Sequence, residues 1–254
     1  MKKLSTELFA ALASDRLDRL LSVLRKGGSP NARDERGTLP LQLAIRAENV
    51  QAVRALLDAG AEVNPNVRHA SELPIMIAVK SSDPEMLRLL LERGAFPGPF
   101  AGRYVSAFHV AVCRCRRRSV QLLLAHGFDV NAMLETRLTP LMLAAREGCA
   151  ELVRDFLNAG AVVDRVDDQG RTALFWTIVH NSECPESERI AEACHVEVVL
   201  ELLSAGSNPH HRDREGRSVL SCALKRGNQD IVDLLSSFAD ARPHSGCPDG
   251  SRNG

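Results

Sequence analysis

A short phrase returns five times along the chain, as LLDAGAEVN, LLERGAFPG, LLAHGFDVN, FLNAGAVVD and LLSAGSNPH. Its glycines are Gly60, Gly94, Gly127, Gly160 and Gly206, at steps of 34, 33, 33 and 46. A period in this range marks a stacked array, in which each copy has apolar edges that only a neighbouring copy can cover. The step of 46 marks one copy with an insertion of about thirteen residues.

A second phrase precedes the first by about twenty residues: GTLPLQLAI, SELPIMIAV, YVSAFHVAV, RLTPLMLAA, GRTALFWTI and GRSVLSCAL. In the copy from Arg137 to Asp164, Thr139 can cap a helix with its hydroxyl. Pro140 fits the first helical position, where its missing N–H costs nothing. Leu141, Leu143, Ala144 and Ala145 supply a close-packing inner helix, and Gly148 breaks it. Leu152, Val153, Phe156 and Leu157 then form the apolar stripe of a second helix, which Gly160 ends in a left-handed conformation.

Together the phrases resemble the ankyrin repeat, with its G-x-T-P-L-H-x-A-A opening and its V-V-x-x-L-L-x-x-G-A-x-x-N close. The resemblance covers roughly Ser5 to Ala239. It departs at Leu39 and Leu73, where the family has threonine, and at Ala107, Ala173 and Val219, where it has proline. It implies an all-α solenoid of about seven stacked helix pairs, an N-terminal cap, five internal pairs and a C-terminal cap, with β-hairpin-like finger loops. Residues 1–241 are expected to form a single domain, with residues 5–26 as the first cap and DLLSSFAD in the last. The insertion, about 181–193, falls between the helices of one repeat. Pro185 suits a helix start, and Ile190, Ala193, Cys194 and Val198 continue an apolar stripe, so the second helix should be longer by about two turns. The insertion's glutamates mark either a second contact surface or a tolerated extension. The tail, 242–254, has little to bury and is expected to be disordered.

Composition limits the chemistry. The 32 basic and 32 acidic residues cancel, so no global field favours nucleic acid or an anionic membrane. Seven cysteines, odd in number and without a C-x-x-C pair, read as reduced thiols in a cytoplasmic protein. The opening MKKLSTELFAALASD imitates an export signal, but Glu7 breaks its apolar run. No window is apolar over the length of a membrane span. The excess of arginine, 27 against 5 lysines, fits a G+C-rich coding sequence and a bacterial source.

The densest local feature is AVCRCRRRSV, Ala111 to Val120. With His109 it invites a metal site, but His109 occupies the histidine of the T-P-L-H phrase, which the resemblance makes structural. His210-His211 and Cys194-His195 lack a converging ligand set, and His195 fits a histidine that opens a second helix. No metal and no cofactor are expected. No nucleophile elbow or phosphate loop occurs, so a catalytic site would have to be assembled across repeats, and no catalytic residue is assigned. The basic run lacks the aromatics of a nucleic-acid track.

The repeat register points elsewhere. In ankyrin arrays the finger tips and the ends of the inner helices make the concave surface that partners occupy. After the small pair of each inner helix come Arg46, Lys80, Arg114, Arg146, His180 and Arg226, which read as a basic ladder for an acidic protein surface. A solvated polar face is the alternative. Finger tips add Arg36, His69, Arg103, Glu135, Asp168 and Arg214. The third finger, FPGPFAGRY, offers Phe100, Arg103 and Tyr104 as anchors, although packing of Phe96 and Phe100 between repeats is the more ordinary account. The expected function is a non-enzymatic protein-binding module, monomeric when free, sharpened to an immunity or antitoxin protein that blocks a toxin. The rivals are a secreted effector or adaptor acting on host proteins, and an enzyme.

Overall fold

The computed structural model describes residues 2–67, 69–81, 83–96, 106–134, 136–179 and 188–241. The candidate contacts Phe100, Arg103, Tyr104, Glu135 and His180, and the tail 242–254, lie outside them. Among the described residues there are fourteen α-helices, and the chain divides into two compact units, 1–129 and 130–254.

The first unit holds four helix pairs: α1 (Lys2–Ala13) with α2 (Leu17–Arg25), α3 (Pro40–Arg46) with α4 (Val50–Asp58), α5 (Pro74–Ala78) with α6 (Glu85–Glu92), and α7 (Ala107–Cys113) with α8 (Arg117–Ala125). Inner helix packs on inner helix, α1 on α3, α3 on α5 and α5 on α7, and the outer helices follow the same order. The second unit holds α9 (Pro140–Arg146) with α10 (Ala150–Asn158), α11 (Ala173–Trp176) with α12 (Glu188–Ser204), and α13 (Val219–Arg226) with α14 (Gln229–Ala241). At 17 residues, α12 is about two turns longer than the 9-residue α10, the extension expected for the insertion.

Local chemistry starts and stops these helices. Thr139 accepts a bond from the Met142 amide at 3.2 Å, and Pro140 follows as the first helical residue. Ser106 and Ser218 cap α7 and α13 in the same way, while Asn49 caps α4 through the Ala52 amide at 2.8 Å. Leu39 has no capping oxygen, so Gln42 reaches back instead and accepts from the Leu39 amide at 2.7 Å. α10 ends when Ala161 N–H bonds Phe156 O and Gly160 N–H bonds Leu157 O, a Schellman closure that requires Gly160 at φ +87°. The core is mostly apolar, with Phe108, Phe156 and Phe175 as its largest fully buried side chains.

Three of the fingers between pairs are tight turns built on an aspartate. Asp34 Oδ1 accepts from the Arg36 and Thr38 amides at 2.9 and 2.7 Å. Asp167 and Asp213 repeat the pattern on Gln169 and Arg171, and on Glu215 and Arg217. A single isolated antiparallel bridge, Arg212 with Ser218, is the strand character found among the described residues.

Candidate functional site

In the first unit, Arg46 closes α3 and Lys80 follows α5 by two residues, because both stand next to the buried small pair that ends each inner helix. A groove of about 310 Å³ runs between them. Ile45 and Ile77 give it an apolar lining, Ser71 reaches it from the turn Ala70–Glu72, and Glu48 and Ser81 complete it. Ser81 Oγ donates to Glu48 Oε1 at 2.8 Å, so the groove's carboxylate already has a partner. Arg46 and Lys80 are both exposed, and among the described residues neither has an ion pair. The lining therefore carries two cations against one anion, beside apolar surface.

The other ladder positions are placed differently. Arg114 is exposed but caps α7 one residue beyond the register of Arg46, which Cys113 occupies, and one residue is about 100° around a helix. In the second unit Arg146 closes α9 at the Arg46 register and is engaged, its Nη2 and Nε donating to Glu147 Oε1 at 2.7 and 2.9 Å. Arg226 closes α13, exposed, with Lys225 at the register position. Of the finger residues, Arg36, His69, Asp168 and Arg214 are exposed. The Arg214 amide bonds Gln169 O at 3.0 Å, tying one finger to the next. Phe96 is 53% exposed.

Three of the histidines weighed as ligands have a structural place. His109 is 3% exposed, with Nδ1 2.6 Å from Ser106 Oγ and the ring edge-on to Phe108 and Phe128. Its bond is thus to a capping hydroxyl. Burial pushes its pKa down from 6.5 to about 4. His195 Nε2 meets Arg146 O at 3.1 Å from inside α12, since the helix begins at Glu188 rather than at His195. His211 Nε2 meets Gly170 O at 2.7 Å. Among the described residues no group of three or more His, Cys, Asp or Glu side chains is placed to hold a metal ion. Cys222 is a free thiol, whereas Cys115 and Cys149 are disulfide-bonded, which corrects the reading of reduced thiols at those two positions.

Two arrangements were not read from the sequence. Asn31 Nδ2 donates to Gly60 O at 3.0 Å while its Oδ1 accepts from the Glu62 amide at 2.8 Å, clamping one repeat to the next. Asn64 holds Gly94 and Phe96 likewise, and Asn131 holds Gly160 and Val162. The signal was an asparagine four residues beyond a helix-ending glycine, at Gly27 and Asn31, Gly60 and Asn64, and Gly127 and Asn131. The second arrangement surrounds Trp176 in the second unit. Its indole Nε1 donates to Asp167 Oδ2 at 3.1 Å, and the guanidinium carbons of Arg146 and Arg171 lie 6.0 and 5.7 Å from its ring centroid. Trp176 is the sole tryptophan, and it stands where the other copies of the phrase place Leu43, Ile77, Val110, Leu143 and Cys222.

Among the described residues no helix is long and apolar enough to cross a membrane. Models of ankyrin repeats match residues 8–100 and 108–186, and a further ankyrin-repeat model matches 188–235. The chain is 27% identical over 198 residues to human neurogenic locus notch homolog protein 2, an alignment covering 77% of this chain and 6% of that protein. It is 31% identical over 175 residues to human ankyrin repeat and SOCS box protein 16, covering 66% of this chain and 39% of that one. The chain thus spans well under half the length of these relatives. The crystal structure of the human ASB11 ankyrin repeat domain superposes with a TM-score of 0.74 at 26% identity, over 93% of this chain and 99% of that domain. With its repeated helix pairs, aspartate-built fingers and matched residues in both units, the chain belongs to the ankyrin repeat family.

Proposed function

We propose that the chain is a non-enzymatic module that binds an acidic surface of a folded protein, and that in its first unit the groove between Arg46 and Lys80 is the contact. The observation that carries this reading is two exposed cations without ion pairs, set beside apolar Ile45 and Ile77. Such a lining suits a carboxylate next to an apolar side chain, since charge steers the approach while desolvated apolar contact holds the complex. Arg114 extends the positive surface, and Arg146, Arg226 and the tips Arg36, His69, Asp168 and Arg214 are proposed contacts of their own units.

The finer form of the proposal is an immunity protein of bacterial origin, monomeric and cytoplasmic when free, whose partner is a toxin with an acidic face. Short acidic peptides and the product of any toxin-like neighbouring reading frame are the ligands to use. Arg46→Glu with Lys80→Glu should weaken capture of an acidic partner by about tenfold or more, because it turns two attractions into repulsions. Unchanged affinity, with folding intact by circular dichroism, refutes the groove as the contact.

A further inference from the structure

We infer that Trp176 and Arg171 form a second docking site, in the second unit, for a carboxylate side chain of a partner's acidic segment. The inference rests on the reading of the chain as a protein-binding module and adds a contact that the repeat register does not nominate.

Comparison of two fingers carries it. In the finger of Asp213, Arg217 donates from Nε to Asp213 Oδ2 at 2.8 Å, and its Nη2 lies 2.7 Å from the same oxygen. Arg171 holds the same position beside Asp167, four residues on, and would be expected to pair alike. It does not, because the Trp176 indole N–H takes Asp167 Oδ2, whereas the residue in Trp176's place in the other repeat is Cys222. Arg171 instead lays its guanidinium against the indole, 5.7 Å from the centroid, and its Nε is buried with no hydrogen-bond partner. Among the described residues it has no ion pair. Arg146 approaches the same ring and is held by Glu147.

A guanidinium lying over an indole, with its Nε buried, still has its Nη donors to offer while the ring excludes water from one face. That geometry suits a planar carboxylate received side by side, with an adjacent apolar residue covering the half-buried ring. An acidic segment of a protein, bearing Asp or Glu beside an apolar residue, meets both requirements.

The test is a selection of short random peptides on the full chain, read by the emission of its single tryptophan. The expected peptides are rich in Asp or Glu, shift Trp176 emission saturably, and lose about tenfold or more in affinity on Arg171→Gln. Trp176→Phe is the second variant, and because it has no tryptophan its peptide affinity is read by titration calorimetry. It keeps a ring but frees Asp167 to pair with Arg171, so it should weaken the same peptides while the chain remains folded. Acidic peptides that depend on Arg46 and Lys80, leave Trp176 emission unchanged and ignore Arg171→Gln would overturn this site and leave the groove standing. Selected peptides without acidic bias, or no selected peptides, would overturn both.

Discussion

Among the described residues, four side chains other than glycine hold a left-handed backbone: Asp15, Glu48, Cys115 and Arg137, at φ +52°, +53°, +49° and +59°. The first three sit where an inner helix closes. At Cys115 the closing bonds run from its own amide to Val112 O and from the Arg116 amide to Ala111 O, the geometry that Gly148 and Gly227 adopt in their repeats. The cysteine thus takes the turn that glycine takes in those repeats. Arg137 is the finger equivalent of Gly37, Gly170 and Gly216, and its finger also lacks the aspartate, with Leu134 in its place. Left-handed backbone costs a side-chain-bearing residue about 1–2 kcal/mol, and two aspartate bonds to the turn amides contribute about as much. Leu134→Asp with Arg137→Gly should therefore raise unfolding stability by about 1–2 kcal/mol in urea denaturation, after the glycine's added chain entropy and the lost leucine contact are set against it. An unchanged or lower midpoint refutes this account of the finger.

His109 gives a second prediction at this scale. Its folded pKa of about 4 lies below the ordinary 6.5, so between these values the unfolded chain binds the proton and the folded chain does not. Its contribution is intact above pH 6.5 and is lost as pH falls toward 4, by up to about 3 kcal/mol. His109→Gln, which copies Gln42 at the same register, should flatten the fall in stability over this window. An equal slope in the variant would show that another group titrates.

At the scale of the element, pairs of helices are joined edge to edge by asparagines. Each clamp uses both ends of one amide, donating to the carbonyl of the left-handed glycine and accepting from the amide two residues on. Asp164 shows what the donor is worth. A carboxylate has no N–H for the Gly206 carbonyl, and Asp164 instead accepts from Ser207 Oγ at 2.9 Å and from the Asn208 amide. Asn31→Ala removes two bonds whose backbone partners regain water, so the expected cost is about 1–2 kcal/mol, with faster hydrogen exchange at the Glu62 amide. Exchange at Glu62 that does not change would mean that the clamp is not closed in solution. Across the outer helices, Arg54 with Glu85 and Arg154 with Glu201 add exposed ion pairs, which contribute little alone.

For the whole molecule, the formal charge of zero decides how a partner is approached. Without a net field, attraction arises only where cations cluster without their own carboxylates, as at Arg46 and Lys80. Association with an acidic partner should then slow by about tenfold as salt rises far enough to bring the Debye length to a few ångströms, while dissociation changes little. A dissociation rate that carries the whole salt effect would place the charges inside the complex and not on its approach.

The repeat, the helix pairs, the glycine punctuation and the long α12 were legible in the residues, because each is set by local chemistry: a hydroxyl before a proline, a 3.6-residue apolar stripe, a residue that tolerates positive φ. The positions of Arg46 and Lys80 were legible for the same reason, since register alone puts them after the small pair. What register could not say is which cations are already engaged. Arg146 and Arg171 look like spare charge in the sequence, yet one is held by the adjacent Glu147 and the other is displaced from Asp167 by an indole nine residues away from that aspartate. Hydrogen-bond competition of that kind depends on which side chains share a few ångströms, and only the packed repeats decide it.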